Sequence, residues 1–401
     1  MKRNMITIII VALIAVFTSG CGGKETAALS GKETGGLPAF SVKGETDLSG
    51  NFFLSFAYSR NIIMLDAKGN MVWSKHEEPL KEGSPTGFWD FKKHVVNGKT
   101  YYSYHDHTGT YDDYGLAGFA PGERVILDES FNEIKRITFE ESDTVEKGHP
   151  LDGHDFLMID PDHYILSGYI KETVYNHPDH PDGSSVVCSY LQEVKDGKAV
   201  WDFKSTDYPE LYSLVVTDAV ETADDFANEK TDAPDIIHFN AMRLDDEGNL
   251  ICSFRHISSI LCLDRSRKTD QIKWKLSGAG DDFGLKEDEK TSCQHYVTVD
   301  GSSVMVFDNG NRTKETKIRI YSLDAEKRSV SSVKTLRVDG KFSSACGDVQ
   351  HLYDDTYMIG WGKTDNDAVC MSVYDFSEDK ELMSVTLENP KNFTYRCVYY
   401  D

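Results

Sequence analysis

One pattern returns along most of this chain: a strand that ends in Asp, a short polar turn, then a strand often carrying Trp or another large apolar residue. It reads IIMLDAKGNMVW at Ile62–Trp73, VILDESFNEIKRI at Val125–Ile137 and LQEVKDGKAVW at Leu191–Trp201. It returns as ILCLDRSRKTDQIKW at Ile260–Trp274, IYSLDAEKRSV at Ile320–Val330 and SVYDFSEDKELMSV at Ser372–Val385. Between successive copies lies another hairpin, such as HDFLMIDPDHYILSGY, HFNAMRLDDEGNLICSF or VQHLYDDTYMIGW. Each unit is therefore about four strands, bounded by the turn residues that hairpins require.

Six such units predict an all-β fold, a six-bladed β-propeller. The alternation in NLICSF and YILSGY fits strands, and no segment sustains an amphipathic helical period over many turns. A sandwich or a barrel would leave the repeat unexplained. The final FTYRCVYY is strand-like and is expected to help close the ring against the first blade. Insertions at Tyr169–Ser185 and Ser205–Ala233 are expected above one face, where loops shape binding sites.

The first residues point to a compartment. Lys2 and Arg3 precede an apolar run from Met5 to Phe17, followed by Thr18-Ser19-Gly20-Cys21. A basic start, a short apolar stretch and small residues make a secretory signal, too short for a membrane-spanning helix of ~20 apolar residues. Small residues directly before Cys21 resemble a bacterial lipobox, although Thr18 stands where Leu is usual. The expected organisation is a signal peptide over 1–20, a lipid-anchored flexible tether over 21–46 and a propeller over 47–401. The protein would then be extracytoplasmic, held to the bacterial cell membrane by lipid on Cys21. A net charge of −23 argues against nucleic acid and against docking on anionic headgroups. No protein partner is indicated.

Without Cys21, seven cysteines remain, with no CxxC pair and no zinc-knuckle spacing. Cys252 and Cys262 flank a short turn and could face each other across a hairpin, or serve as small apolar strand residues.

The histidines gain meaning from the repeat. Aligned on the turn aspartates Asp160, Asp245 or Asp246, and Asp300, the residues His154, His238 and His295 open the first strands of three consecutive units. In a propeller those strands are innermost, so their starts converge near the axis on one face. Arg255 ends the second strand of its unit, and antiparallel pairing returns it to His238; Asn240 follows two residues after His238. Three imidazoles could hold zinc, with Asp155 as a further ligand. A guanidinium beside them instead suits a tetrahedral oxyanion, gripped through two N–H donors. Histidine with arginine fits group transfer through an imidazole nucleophile.

These residues lie in runs that resemble the bacterial arylsulfate sulfotransferases. The matching stretches are DIIHFNAMRLDDEGNLICSFRHISSILCLDRSRKTDQIKWKLSGAGDDFG and CQHYVTVDGSSVMVFDNGN, with GHDF upstream and CGDVQHLYDDTYMIGWG downstream. The resemblance is clear over about Gly153–Gly362 and rests on H-x-N, S-x-R, W-x-L-x-G and Q-H in fixed order. It implies a six-bladed propeller and ping-pong transfer of a sulfuryl group from an aryl sulfate to a phenol. It further implies that His295 is the nucleophile, transiently sulfated, and that His154, His238 and Arg255 bind and activate the sulfate. Asn240 is implied as a substrate-binding residue. No metal and no nucleotide cofactor is called for.

Two features depart from the family. The chain has little room for the extra N-terminal domain of longer members, and TYYSYHDHTGTYDDY, with Tyr104, His105 and His107, does not align securely. Two other function classes stay open at this level. One is a non-catalytic propeller binding a ligand or partner; the other is a metal-dependent hydrolase or lyase using the three histidines.

Overall fold

The computed structural model describes residues 36–80, 86–109, 118–216, 235–364, 367–389 and 392–401. The apolar leader, Cys21 and most of the expected tether lie outside them, as does the 217–234 part of the second insertion.

The turn aspartates explain the repeat physically. In five of the six outer hairpins a carboxylate accepts backbone amides two to four residues ahead, closing the turn as an Asx motif. Asp66 accepts from Lys68 and Asn70 at 2.9 and 2.8 Å, and Asp128 from Ser130 and Asn132, both at 2.9 Å. Asp264 and Asp375 hold Ser266 and Ser377 in the same way, and Asp245 does so in an inner hairpin. A strand ending in Asp thus carries its own turn.

The result is all-β, built of antiparallel sheets, with only two short 3-10 turns, Ser205–Asp207 and Pro209–Leu214, among the described residues. Three sheets have four strands in chain order. They run from Leu157–Asp160 to Lys198–Lys204, from Phe239–Leu244 to Ile272–Leu276, and from Tyr296–Asp300 to Ser329–Leu336. A fifth strand, Phe40–Gly44, joins the last sheet (Asp348–Tyr353, Thr356–Gly360, Val369–Asp375, Lys380–Leu387) by pairing with Lys380–Leu387. Ser343–Ala345 and Lys363–Thr364 pair as a separate two-stranded sheet, and the other strands form one sheet in which Asn51–Phe56 and Phe88–Val96 meet through the single pair Phe56↔Phe88. The final strand Thr394–Tyr400 pairs with Asn51–Phe56.

Neighbouring first strands pack on one another. Phe239–Leu244 touches Tyr296–Asp300, which touches Asp348–Tyr353, which touches Thr394–Tyr400; that strand touches Phe88–Val96, which touches Leu157–Asp160. The apolar clusters fill the spaces between adjacent sheets, for example Ile251, Trp274, Val306 and Ile359 in one and Leu54, Met358, Val385 and Cys397 in another.

Several expectations need correction. Phe40–Gly44, inside the stretch expected as tether, is a sheet strand: Phe40 and Val42 are buried, and the register runs from Phe40↔Leu387 to Gly44↔Met383. Cys252 opposes Leu261 and Cys262 opposes Ile251, so successive side chains put the two thiols on opposite faces. Both are free thiols. Much of the expected insertion after Tyr169 is strand, because His163–Val174 and Ser184–Lys195 form one long hairpin. Tyr104, His105 and His107, in the segment that did not align securely, lie in the strand Lys99–His107 and are buried.

Candidate functional site

His154, His238 and His295 each sit just before a first strand, and the packing of those strands brings the rings together. The centroid of His154 lies 4.8 Å from that of His238 and 5.8 Å from that of His295. All three are at least 94% buried, at 3%, 6% and 2% exposure. The backbone bends sharply into these strands: His238, Cys293 and Cys346 have φ of 53°, 56° and 59°. A left-handed non-glycine residue is costly and persists where the surroundings over-determine it.

Each imidazole has its Nδ1 occupied. Asp152 holds Nδ1 of His154 while accepting the amides of His154 at 3.0 Å and Ala120 at 2.7 Å. Asp235 holds Nδ1 of His238 at 2.5 Å and accepts its amide at 3.1 Å. Nδ1 of His295 lies 3.1 Å from the Gly347 carbonyl oxygen. A carbonyl can only accept, so Nδ1 of His295 donates and the neutral ring keeps its lone pair on Nε2. The other two rings form carboxylate–imidazole dyads, the arrangement that fixes a tautomer and stabilises an imidazolium.

Burial sets the protonation of the set. It pushes His295 well below the usual histidine range, with the Arg396 guanidinium and the His154 ring acting in the same direction. Burial also lowers His154, against the opposing pull of Asp152. For Asp152 burial works upward, but the His154 ring and the amide of Ala120 win and hold the carboxyl below its ordinary value.

Arg255 is brought to His238 by strand pairing: its amide donates to the His238 carbonyl at 2.8 Å. Its guanidinium reaches the Ser344 carbonyl at 3.4 Å and, with the Asn311 amide oriented by its hydrogen bonds, the Asn311 oxygen at 3.1 Å. Asn240 is fully buried, and its Nδ2 donates to the Gln294 carbonyl at 2.7 Å. Its observed contact is therefore with the backbone that precedes His295. Asp155 does not join the histidines. It accepts from Lys92, from Arg243 at 2.9 Å and from the Met242 amide at 2.8 Å, in a buried ionic cluster.

That cluster was not read from the sequence. Arg396 pairs with Asp90 at 2.8 Å and Asp155 at 3.4 Å and donates to the Asn240 carbonyl at 2.6 Å. Arg124 and Lys92 each lie 2.9 Å from Asp90. Lys92, Arg124, Arg243 and Arg396 thus face the two carboxylates Asp90 and Asp155, a surplus of positive charge close to the imidazoles. Tyr395 was also missed. Its ring lies 5.9 Å from His154 and 5.4 Å from His295, its hydroxyl donates to the His154 carbonyl at 2.8 Å, and Trp89 stacks on it at 4.4 Å. Tyr169 stacks on His238 at 5.6 Å.

Among the described residues, one group has ligand atoms close enough to hold a metal ion: Asp235, His238 and His256, all buried. The donor types suit a transition metal. Asp235, however, already occupies Nδ1 of His238, and its backbone carbonyl accepts from Nδ1 of His256 at 2.7 Å. Arg255 precedes His256 directly and opposes a cation.

The profile of the arylsulfotransferase family (ASST) matches residues 110–366, more than half of the chain and all of His154, His238, Arg255 and His295. The chain belongs to the arylsulfotransferase family. Trp89, Tyr395 and Arg396 lie outside the matched residues. No match was found among curated proteins. Among solved structures, the chain is similar to a protein of unknown function from Bacteroides caccae, 11% identical over 88% of this chain and 99% of that one, with a TM-score of 0.49. It is also similar to a virginiamycin B lyase from Staphylococcus aureus, 7% identical over 87% and 99% of the two chains, with a TM-score of 0.36. No function is transferred from likenesses this distant.

Proposed function

We propose that this arylsulfotransferase-family protein moves a sulfuryl group from a phenolic sulfate ester to a phenol, in two steps through a sulfated His295. The observation that supports this most is the bond from Nδ1 of His295 to the Gly347 carbonyl, which leaves Nε2 as the basic nitrogen of a neutral ring. In the first step Nε2 forms a bond to sulfur as the bond from sulfur to the aryl oxygen breaks. Phenols ionise near pH 10, so the phenolate is a tolerable leaving group, helped by a proton from an Asp-held imidazole. The dyads of His154 with Asp152 and of His238 with Asp235 are equipped for that transfer. Arg255 would grip sulfuryl oxygens as charge shifts in the transition state, and the surplus of buried guanidinium and ammonium groups favours an anion there. In the second step an acceptor phenol gives its proton to the same imidazole and attacks sulfur, and the nitrogen–sulfur bond breaks. The residues ask for no metal and no nucleotide.

We read the six groups of strands as the blades of a propeller, with Thr394–Tyr400 closing the ring against the first blade. The leader and Cys21 fit a lipid-anchored, extracytoplasmic protein whose partners are phenols, aryl sulfates and the membrane that carries the lipid. Turnover of 4-nitrophenyl sulfate with a panel of phenols tests the reading. Release of 4-nitrophenolate that depends on an added phenol supports it, and its absence across the panel contradicts it.

A further inference from the structure

Cys370 and Cys397 meet at the seam where the last strand joins the first sheet. Cys370 lies on Val369–Asp375, and Cys397 on Thr394–Tyr400, which pairs with Asn51–Phe56. Both are buried in one apolar cluster. Sγ of Cys397 is 3.7 Å from the Cys370 carbonyl, Oγ1 of Thr394 donates to the same carbonyl at 3.3 Å, and both thiols are free in this structure. Cys252 and Cys262, by contrast, point to opposite faces of their sheet.

We propose that Cys370 and Cys397 form a disulfide when the chain folds under oxidising conditions, stapling the closing strand to the last sheet. That strand carries Tyr395, so the bond would fix the ring that packs on His154 and His295. Burial raises the Cys397 thiol well above its ordinary range, and a thiol, unlike a thiolate, is a poor nucleophile. The exchange therefore belongs to folding, before the pair is enclosed. With oxidised glutathione, one cysteine thiolate attacks the glutathione disulfide, releases one glutathione thiol and leaves a mixed disulfide. The second cysteine attacks the protein-side sulfur and expels the second glutathione thiol. Two S–H bonds of the protein become one S–S bond, and two electrons and two protons pass to glutathione.

The test refolds the full chain with oxidised glutathione, then alkylates free thiols and maps peptides without reduction. The expected result is a linked Cys370–Cys397 peptide and a Tm about 4 °C above that of the reduced protein, the size a loop of about 28 residues implies. Cys370→Ala is expected to lack both. Full alkylation of both thiols in the oxidatively refolded wild type, or linkage of either to another cysteine, overturns the proposal. Should the variant fail to refold, the wild-type map decides alone. None of this depends on sulfuryl transfer.

Discussion

Nδ1 of His295 donates to the carbonyl of Gly347 at 3.1 Å, and that bond leaves Nε2 as the basic nitrogen of the neutral ring. Gly347 has φ of 89° and lies on the last sheet's approach, so the His295 ring is oriented by a neighbouring unit of the fold. A Cβ there would sit 2.5 Å from the Phe307 ring and 2.8 Å from the Gly360 carbonyl.

Gly347→Ala should therefore move the carbonyl as well as strain the backbone. The expected stability loss is about 1–3 kcal/mol by urea unfolding. A fall in kcat larger than the rise in KM is expected alongside it.

Asp152→Asn and Asp235→Asn should leave the rings in place but remove the carboxylates that fix their tautomers. By the behaviour of such dyads, the variant of the proton-transferring one should lose about 10²–10⁴ in kcat. Steady-state kinetics of both variants also show which dyad carries the proton.

Acid should destabilise the fold through its buried histidines, with Asp348, whose carboxyl burial raises to about 7, offsetting part of the loss. Burial depresses His94 and His256 to about 3 and His105 to about 4, so the unfolded chain binds protons near pH 6.5 that the folded chain refuses. Their stabilisation is complete above pH 6.5 and is lost progressively as pH falls towards 3. A Tm flat from pH 7 to pH 4.5 would contradict this.

Arg396→Gln should remove the guanidinium that pairs with Asp90 and Asp155 and donates to the Asn240 carbonyl in a fully buried position. Breaking one side of such a pair costs about 3–5 kcal/mol, read from urea midpoints.

What the sequence disclosed follows from what repeats. The turn aspartates recur because each must cap its own hairpin, and that recurrence made His154, His238 and His295 comparable. Their partners obey no such period. Asp152 and Asp235 do lie two and three residues before their histidines, a local signal that could have been used. Tyr395 and Arg396 could not be placed that way, because their contacts depend on how the chain's last strand returns to its first sheet. Phe40–Gly44 was misread for the same reason: five residues with two buried side chains look like linker until Lys380–Leu387 is beside them.

The proposed sulfated His295 is tested most directly by mass. The protein is incubated with 4-nitrophenyl sulfate without acceptor, quenched at alkaline pH and mapped by peptide mass spectrometry. The expected result is one added sulfuryl group on the peptide at His295, discharged when a phenol is supplied. Full turnover by His295→Ala, or a sulfuryl group on another residue with His295 unmodified, would contradict it.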